Sequence, residues 1–151
     1  MKKLFVLSLV VLGTLFLNST FVGVANAEPA AAKKVVNIHL VYAVGSTTWS
    51  PREISDAYKR ANLAVSYWNK QSIPVEFRIA DTSVQAIDFD TLNWDQASAR
   101  ADSLNSVPGT VYLVRDPMVW AVSGFARKGQ YAVVAYDGRM AGVLAHELGH
   151  V

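Results

Sequence analysis

The chain has 151 residues, of which 52% are hydrophobic and 17% charged, so it has room for one domain and is not disordered by composition. It contains no cysteine, which excludes disulfide bonds and a lipid anchor on a lipobox cysteine. The formal net charge is +2; Lys2 and Lys3 belong to the 14 basic residues, and the remaining 12 balance the 12 acidic residues. Nothing in the charge balance therefore indicates a nucleic-acid or anionic-membrane partner.

The N-terminus has the pattern of a secretory signal peptide. A short basic stretch at residues 1–3 precedes an apolar run at residues 4–17, and Ala25-Asn26-Ala27 has the form of a cleavage site. The sequence thus predicts that residues 1–27 are a signal peptide and that the protein is secreted to the extracellular space. An uncleaved membrane anchor over residues 4–24 is the alternative, because that segment is about long enough to span a bilayer.

Cleavage after Ala27 would leave a protein without stable membrane association, which we expect to be a monomer. Residues 28–34 are small or charged, include Pro29, and read as a linker. The folded domain is therefore predicted to occupy residues 35–151.

The first predicted strand covers residues 35–44, and its apolar side chains alternate. The helix that follows has a strong start signal: Ser50 is the N-cap, Pro51 suits the first turn, and Glu53 completes a capping box. An apolar stripe then predicts a helix that packs on a sheet and ends near Lys70. The stripe consists of Ile54, Tyr58, Ala61, Val65 and Trp68.

The remaining elements are predicted from shorter patterns. The strands are expected at residues 74–80, 110–114, 122–126 and 130–136, with an extended piece at 84–89 and helices at 92–104 and 139–151. Strands separated by helices indicate parallel pairing, whereas the short loop between the last two strands favours an antiparallel pair. The predicted fold class is therefore α/β: a mixed, mostly parallel twisted sheet with one antiparallel edge strand and two to three helices.

The most informative motif is His146-Glu147-Leu148-Gly149-His150, in the last predicted helix. Residues four apart share one face of a helix, so His146 and His150 can bind one metal ion while Glu147 lies beside it. The spacing indicates a zinc site with a general base. The alternative is that the two histidines cap a C-terminal helix that frays.

The segment 145–150, with the strands before it, resembles the active-site helix of the metzincin zinc endopeptidases, which include the matrixin and reprolysin families. The resemblance implies a zincin-like α+β fold whose N-terminal subdomain is residues 35–151. It implies that His146 and His150 bind one catalytic zinc ion and that Glu147 is the base for a metal-activated water that hydrolyses peptide bonds. It further implies that Gly124, Phe125 and Ala126 form an edge strand that pairs with a peptide or protein substrate.

The same resemblance implies a third histidine six residues after His150, which has no counterpart because the printed sequence stops at Val151. The zinc site is therefore expected to be incomplete in this chain. His39 is not expected to replace the third ligand, because it lies in the first predicted strand. Asp116 and Asp137 are predicted to form turns or to bind calcium rather than zinc.

Two other functions remain open at this point. One is a gluzincin-type metallopeptidase, in which the third ligand is a glutamate on a later helix. The other is a secreted peptide-binding protein or decayed peptidase without catalysis. Trp120 and Phe125 either line a substrate cleft or pack in the core.

Overall fold

The computed structural model of the chain describes residues 32–115, 117, 120 and 123–151. The predicted signal peptide, Asp116 and Val122 lie outside these residues. Within them, no helix is long and apolar enough to cross a membrane.

The described part of the chain forms one five-stranded sheet with three helices. The elements in chain order are β1 (Lys34–Ala43), α1 (Pro51–Asn69), β2 (Val75–Gln85), α2 (Trp94–Ser103), β3 (Thr110–Val114), β4 (Gly124–Arg127), β5 (Tyr131–Ala135) and α3 (Met140–Leu148). The strand order is β2-β1-β3-β5-β4. β1 pairs in parallel with β2 and β3, and β3 pairs in parallel with β5, whereas β4 runs antiparallel to β5. The predicted fold class is confirmed, including the antiparallel edge strand.

Side chains alternate between two core clusters, one on each face of the sheet. Ile38, Leu40 and Tyr42 of β1 lie in the cluster that also contains residues of α1 and α3. Val41 and Ala43 lie in the cluster that contains residues of α2. Both faces of the sheet are therefore covered.

α1 begins as its sequence predicts. The Ser50 hydroxyl accepts a hydrogen bond from the Glu53 backbone N–H, and the Glu53 carboxylate accepts one from the Ser50 backbone N–H at 2.8 Å. Lys70 is the C-cap. The predicted stripe is wrong at Tyr58, which is 41% exposed, whereas its neighbour Ala57 is fully buried.

β1 is Lys34–Ala43, one residue earlier at each end than predicted, and the bounds of β2, α2, β4 and β5 also differ from the prediction. β2 continues to Gln85 because it pairs with β1 along its whole length, with a register shift between Ile38 and His39. α2 is shorter than predicted and starts after the N-cap Asn93, whose side chain forms a capping box with Gln96. β4 and β5 are Gly124–Arg127 and Tyr131–Ala135, so the residues between them form the tight turn of a hairpin.

Candidate metal centre

α3 carries the His-Glu-x-x-His motif, and Asp137 fixes where this helix starts. The N-cap Arg139 makes no side-chain capping bond, but its backbone N–H donates to Asp137 Oδ1 at 2.6 Å. The Ser123 hydroxyl, just before β4, donates to Asp137 Oδ2 at 3.1 Å. Burial opposes ionisation of Asp137, but the hydrogen bonds from Arg139 and Ser123 outweigh it and hold its pKa below the usual value. Asp137 thus forms the turn that joins the edge strand to the motif helix.

α3 ends at Leu148, two residues earlier than His150, so the prediction of a helix to residue 151 is wrong. The chain tightens there: the Gly149 and His150 backbone N–H groups donate to the carbonyls of His146 and Glu147, at 3.1 and 2.9 Å. The His150 carbonyl accepts a hydrogen bond from the Gly129 N–H at 2.9 Å, in the β4–β5 turn. The backbone of His150 is therefore held by hydrogen bonds through both its N–H and its carbonyl.

The two imidazoles lie close together on an exposed face. Their ring centroids are 5.1 Å apart and the rings are inclined at 74°. Both residues are exposed, and neither ring has a hydrogen-bond partner among the described residues. The ring nitrogens are therefore available to a ligand from solvent.

The two rings are close enough together for one metal ion to bind both. Their centroids are 5.1 Å apart, and zinc binds histidine nitrogens at about 2.0–2.1 Å. Within the described residues, no third histidine, cysteine, aspartate or glutamate joins them to form a three-ligand group. The pair thus fits zinc as two ligands out of the three that catalytic sites use.

Glu147 differs from its two histidine neighbours because it is buried. It is 7% exposed, and its carboxylate has no hydrogen-bond partner among the described residues. Burial raises the pKa of Glu147, and the neighbouring His146 and His150 oppose that effect only in part. A carboxyl group whose pKa is raised by burial beside two exposed imidazoles is suited to accept and return a proton.

The face of α3 that carries Glu147 lies against the edge strand. A Cβ atom placed on Gly124 would lie 2.7 Å from Val143 Cγ1 and 3.1 Å from the Val133 carbonyl oxygen. Only glycine lets β4 and α3 approach so closely. Val143 and Glu147 are one turn apart and share one side of α3, so the side of the helix that carries Glu147 lies next to β4.

The three residues expected to bind substrate lie in β4, but their side chains have other surroundings. Phe125 is buried in the core cluster on the α2 side, with the Trp94 ring 4.4 Å away. Trp120 packs near Phe125, and its indole N–H donates to the Leu92 carbonyl at 3.1 Å. Ala126 packs against the cluster on the α3 side. The side chains of Phe125 and Ala126 therefore pack against the two core clusters, and β4 pairs with no described strand on its outer side.

His39 lies apart from the motif. It alternates with Leu40 on β1 and therefore faces the side of the sheet that α2 covers, opposite α3. Its Nδ1 lies 2.8 Å from Asp81 Oδ2. The structure places its side chain away from the two motif histidines.

Sequence reasoning missed the groove beside the two histidines. The groove has a volume of about 580 Å³ and lies between α1 and α3. The Trp68 indole N–H donates to the Ala145 carbonyl at 2.6 Å, and a Cβ on Gly149 would lie 3.2 Å from the Trp68 ring. The groove is lined mainly by small and apolar residues, namely Leu63, Ala64, Tyr67, Trp68, Ala141, Gly142, Ala145, His146, Gly149 and His150. The apolar stripe of α1 contains Trp68, but only the α1–α3 contact places it beside the motif.

No known protein family matches the sequence, and no curated protein sequence matches it. Among solved structures, a chaperone–substrate complex is similar to 78% of this chain with 15% identity and a TM-score of 0.53. A weaker likeness, with 10% identity and a TM-score of 0.45, is to metalloproteinase-II from Bacteroides fragilis, over 82% of this chain. The chain spans 26% and 47% of the lengths of those two proteins. At such identities the likeness to the first structure extends to the fold alone.

Proposed function

We propose that this chain carries the catalytic helix of a secreted, zinc-dependent endopeptidase of the metzincin type. The observation that carries the proposal is the arrangement at the end of α3. Two exposed imidazoles have their ring centroids 5.1 Å apart, and between them in sequence lies the mostly buried Glu147, whose carboxylate forms no hydrogen bond with a described residue. Export is supported by the signal-peptide pattern of residues 1–27.

In this proposal His146 and His150 hold the metal. Zinc bound there would supply a Lewis acid that lowers the pKa of a water molecule and polarises the scissile carbonyl. The third protein ligand is the histidine that the metzincin resemblance places six residues after His150.

Glu147 handles the proton in the same proposal. As the water oxygen attacks the carbonyl carbon, the Glu147 carboxylate accepts the released proton. It then returns that proton to the amine nitrogen as the C–N bond breaks. Its burial supports this role because desolvation raises the pKa of Glu147, so its carboxylate accepts a proton more readily.

β4 orients the substrate. It is the last strand of the sheet order, and within the described residues no strand pairs with its outer side. An extended peptide can add to that side through backbone hydrogen bonds, next to the face of α3 that carries Glu147. The proposal therefore expects recognition of extended backbone rather than of a folded surface.

The test separates metal binding from chemistry with four variants. Zinc content after dialysis and hydrolysis of a fluorogenic peptide mixture are measured for His146→Ala, His150→Ala, Glu147→Gln and the control His39→Ala. We expect the first two to lose zinc, Glu147→Gln to keep zinc but lose at least about 10²-fold in activity, and His39→Ala to behave as the parent. Retained activity in Glu147→Gln, or hydrolysis that a chelator does not stop, would overturn the proposal.

These assays use the translated product of the whole transcript, so the first measurement is its sequence past the Val151 codon. A histidine six residues after His150 would supply the third ligand. The metzincin resemblance also implies a glycine three residues after His150, which would let the chain turn towards the metal. A stop codon directly after Val151 would favour the non-catalytic alternative. That alternative expects peptide to bind along β4 with an affinity that a chelator does not change.

A further inference from the structure

Trp94 is a partly exposed aromatic residue that packs on the edge strand. Its ring lies 4.4 Å from the ring of Phe125 in β4, measured between ring centroids, and the Trp120 ring lies 5.9 Å from that of Phe125. Phe125 is 8% exposed, whereas Trp94 is 37% exposed. Trp94 therefore covers Phe125 and itself remains open to solvent.

Two contacts place α2 alongside β4. Trp94, the first residue of α2, packs on Phe125 of β4. Near the end of the helix, Asp102 Oδ2 lies 2.6 Å from Nη1 of Arg127, which also belongs to β4. The Tyr131 ring of β5 packs on Phe125 as well, but Trp94 makes no ring contact with Tyr131 among the described residues. Trp94 therefore lies over the edge strand, next to the side of β4 with which no described strand pairs.

A peptide that pairs with β4 would bring one side chain to Trp94. Successive side chains of a strand point to opposite faces of the sheet, and residues opposite each other in paired strands share a face. Phe125 faces α2, whereas Ala126 packs against the core cluster on the α3 side. The position of Gly124 also faces α3, because a Cβ atom there would lie 2.7 Å from Val143 Cγ1. The peptide residue opposite Phe125 would therefore point towards α2, and its two neighbours would point towards α3.

We propose that Trp94 and Phe125 form a subsite that selects a large apolar side chain, above all an aromatic one, of the peptide bound along β4. This inference rests on the proposed function and names the substrate class of that site. A side chain packed on these rings leaves water, and an aromatic one gains the further attraction between rings. Because its two neighbours point towards the helix that carries Glu147, the selected residue should lie at a fixed position relative to the hydrolysed bond.

The experiment scans one Phe along an extended fluorogenic peptide whose other positions are Ala, Ser and Thr. The kcat/KM of each peptide is measured with the translated product of the whole transcript, and mass spectrometry locates the hydrolysed bond. We expect kcat/KM to rise about 3- to 10-fold when Phe occupies one position at a fixed distance from that bond. Trp94→Ala should abolish the rise, and Trp94→Phe should retain most of it. Trp94→Gln gives the same comparison if Trp94→Ala does not fold.

The matched control is Tyr58→Ala, because Tyr58 is an aromatic residue of α1 with 41% exposure. It lines a pocket with Ile79 and Thr82 of β2, at the opposite edge of the sheet. This control should leave the rise unchanged. Lost packing alone would lower kcat/KM by the same factor for every peptide, whereas a lost subsite lowers it for one position of Phe. A flat scan in the parent, or an undiminished rise in Trp94→Ala, would overturn the subsite.

A binding measurement separates this test from the peptidase proposal. The same peptides, labelled for fluorescence anisotropy, are titrated into Glu147→Gln with a chelator present, so that neither hydrolysis nor a metal contributes. The same position of Phe should give the tightest binding, and adding Trp94→Ala should remove that preference. A binding preference without hydrolysis by the parent would count against the peptidase proposal alone. Hydrolysis without a preferred position for Phe would count against the subsite alone.

Discussion

α1 and α3 lie side by side on one face of the sheet, but they contact the core through side chains of different size. The buried residues of α1 are Ala57, Ala61, Ala64 and Val65, whereas those of α3 are Met140, Leu144, Glu147 and Leu148. α1 therefore approaches the core through small groups over five turns, and α3 anchors itself with three large side chains in fewer than three turns.

The polar groups of the two helices differ in the same way. In α1, Glu53 bonds to Ser50 and pairs with Arg115 at 2.7 Å, and Asp56 pairs with Arg60 at 2.6 Å. In α3, Glu147 is 7% exposed, and its carboxylate forms no hydrogen bond with a described residue. Buried polar groups that serve only the fold are usually hydrogen-bonded. The contrast predicts that α1 contributes stability alone, and that α3 would give up some stability for the role proposed above.

The largest expected effect comes from shortening an anchor of α3. Leu144 is 0% exposed, and Leu144→Ala should lower the free energy of unfolding by about 2–5 kcal/mol, because it removes buried methyl groups and leaves a cavity. Leu63→Ala in α1 is the control, since Leu63 is 64% exposed and should change the value by no more than about 0.5 kcal/mol. Urea unfolding measures both. Similar decreases in the free energy of unfolding for the two variants would contradict the conclusion that large buried side chains anchor α3.

Two glycine substitutions test whether α3 depends on its close packing against β4. Gly124→Ala should lower the free energy of unfolding by about 1–3 kcal/mol, because the new methyl group would clash with Val143 and the Val133 carbonyl oxygen. Gly142→Ala should instead raise the free energy of unfolding by up to about 1 kcal/mol. The new Cβ would have no neighbouring atom within 4 Å, and alanine favours the helix more than glycine does. Opposite signs in thermal unfolding are the expected result. A neutral Gly124→Ala would mean that α3 does not depend on close contact with β4.

The smallest effect concerns the start of α1 and its pH dependence. Hydrogen bonds from the Ser50 side chain and backbone, with Arg115, lower the pKa of Glu53 from 4.5 to about 2. The stabilisation by Glu53 should therefore be complete above pH 4.5 and disappear as the pH falls towards about 2. The difference in unfolding midpoint between the parent and Glu53→Gln should be constant above pH 4.5 and narrow below it. A constant difference down to about pH 2 would contradict this account, and in either case Glu53→Gln should leave zinc binding unchanged.

The sequence predicted best those features that depend on neighbours in the chain. The capping box at Ser50 and Glu53 and the strand Thr110–Val114 were recognised because local hydrogen bonds and a run of apolar residues decide them. The capping box at Asn93 and Gln96 carried the same kind of signal and would have given the start of α2. The placement of His146 and Glu147 on one helix also follows from local spacing.

Features that depend on distant contacts were not predicted. Asp81 and Ser83 have low intrinsic preference for strands, but β2 extends through them because they pair with β1. Trp68 was read as a core residue, and its position beside the motif becomes visible only when α1 and α3 pack together. The support of His150 by the Gly129 N–H and the convergence of Asp88 and Asp90 on Gly45 likewise join segments that lie far apart in sequence.

The strand order has a consequence for the time at which the motif can become organised during folding. β1 lies between β2 and β3 in the sheet, and α3 packs on β4, β5 and α1. The surface on which α3 packs therefore includes elements from nearly the whole described chain. A nine-residue helix is not stable by itself in water, and sheets built from distant parallel strands form slowly. The two imidazoles should therefore reach their final separation only after the sheet is complete. If they bind a metal ion, binding would then follow folding of the sheet and would not direct it.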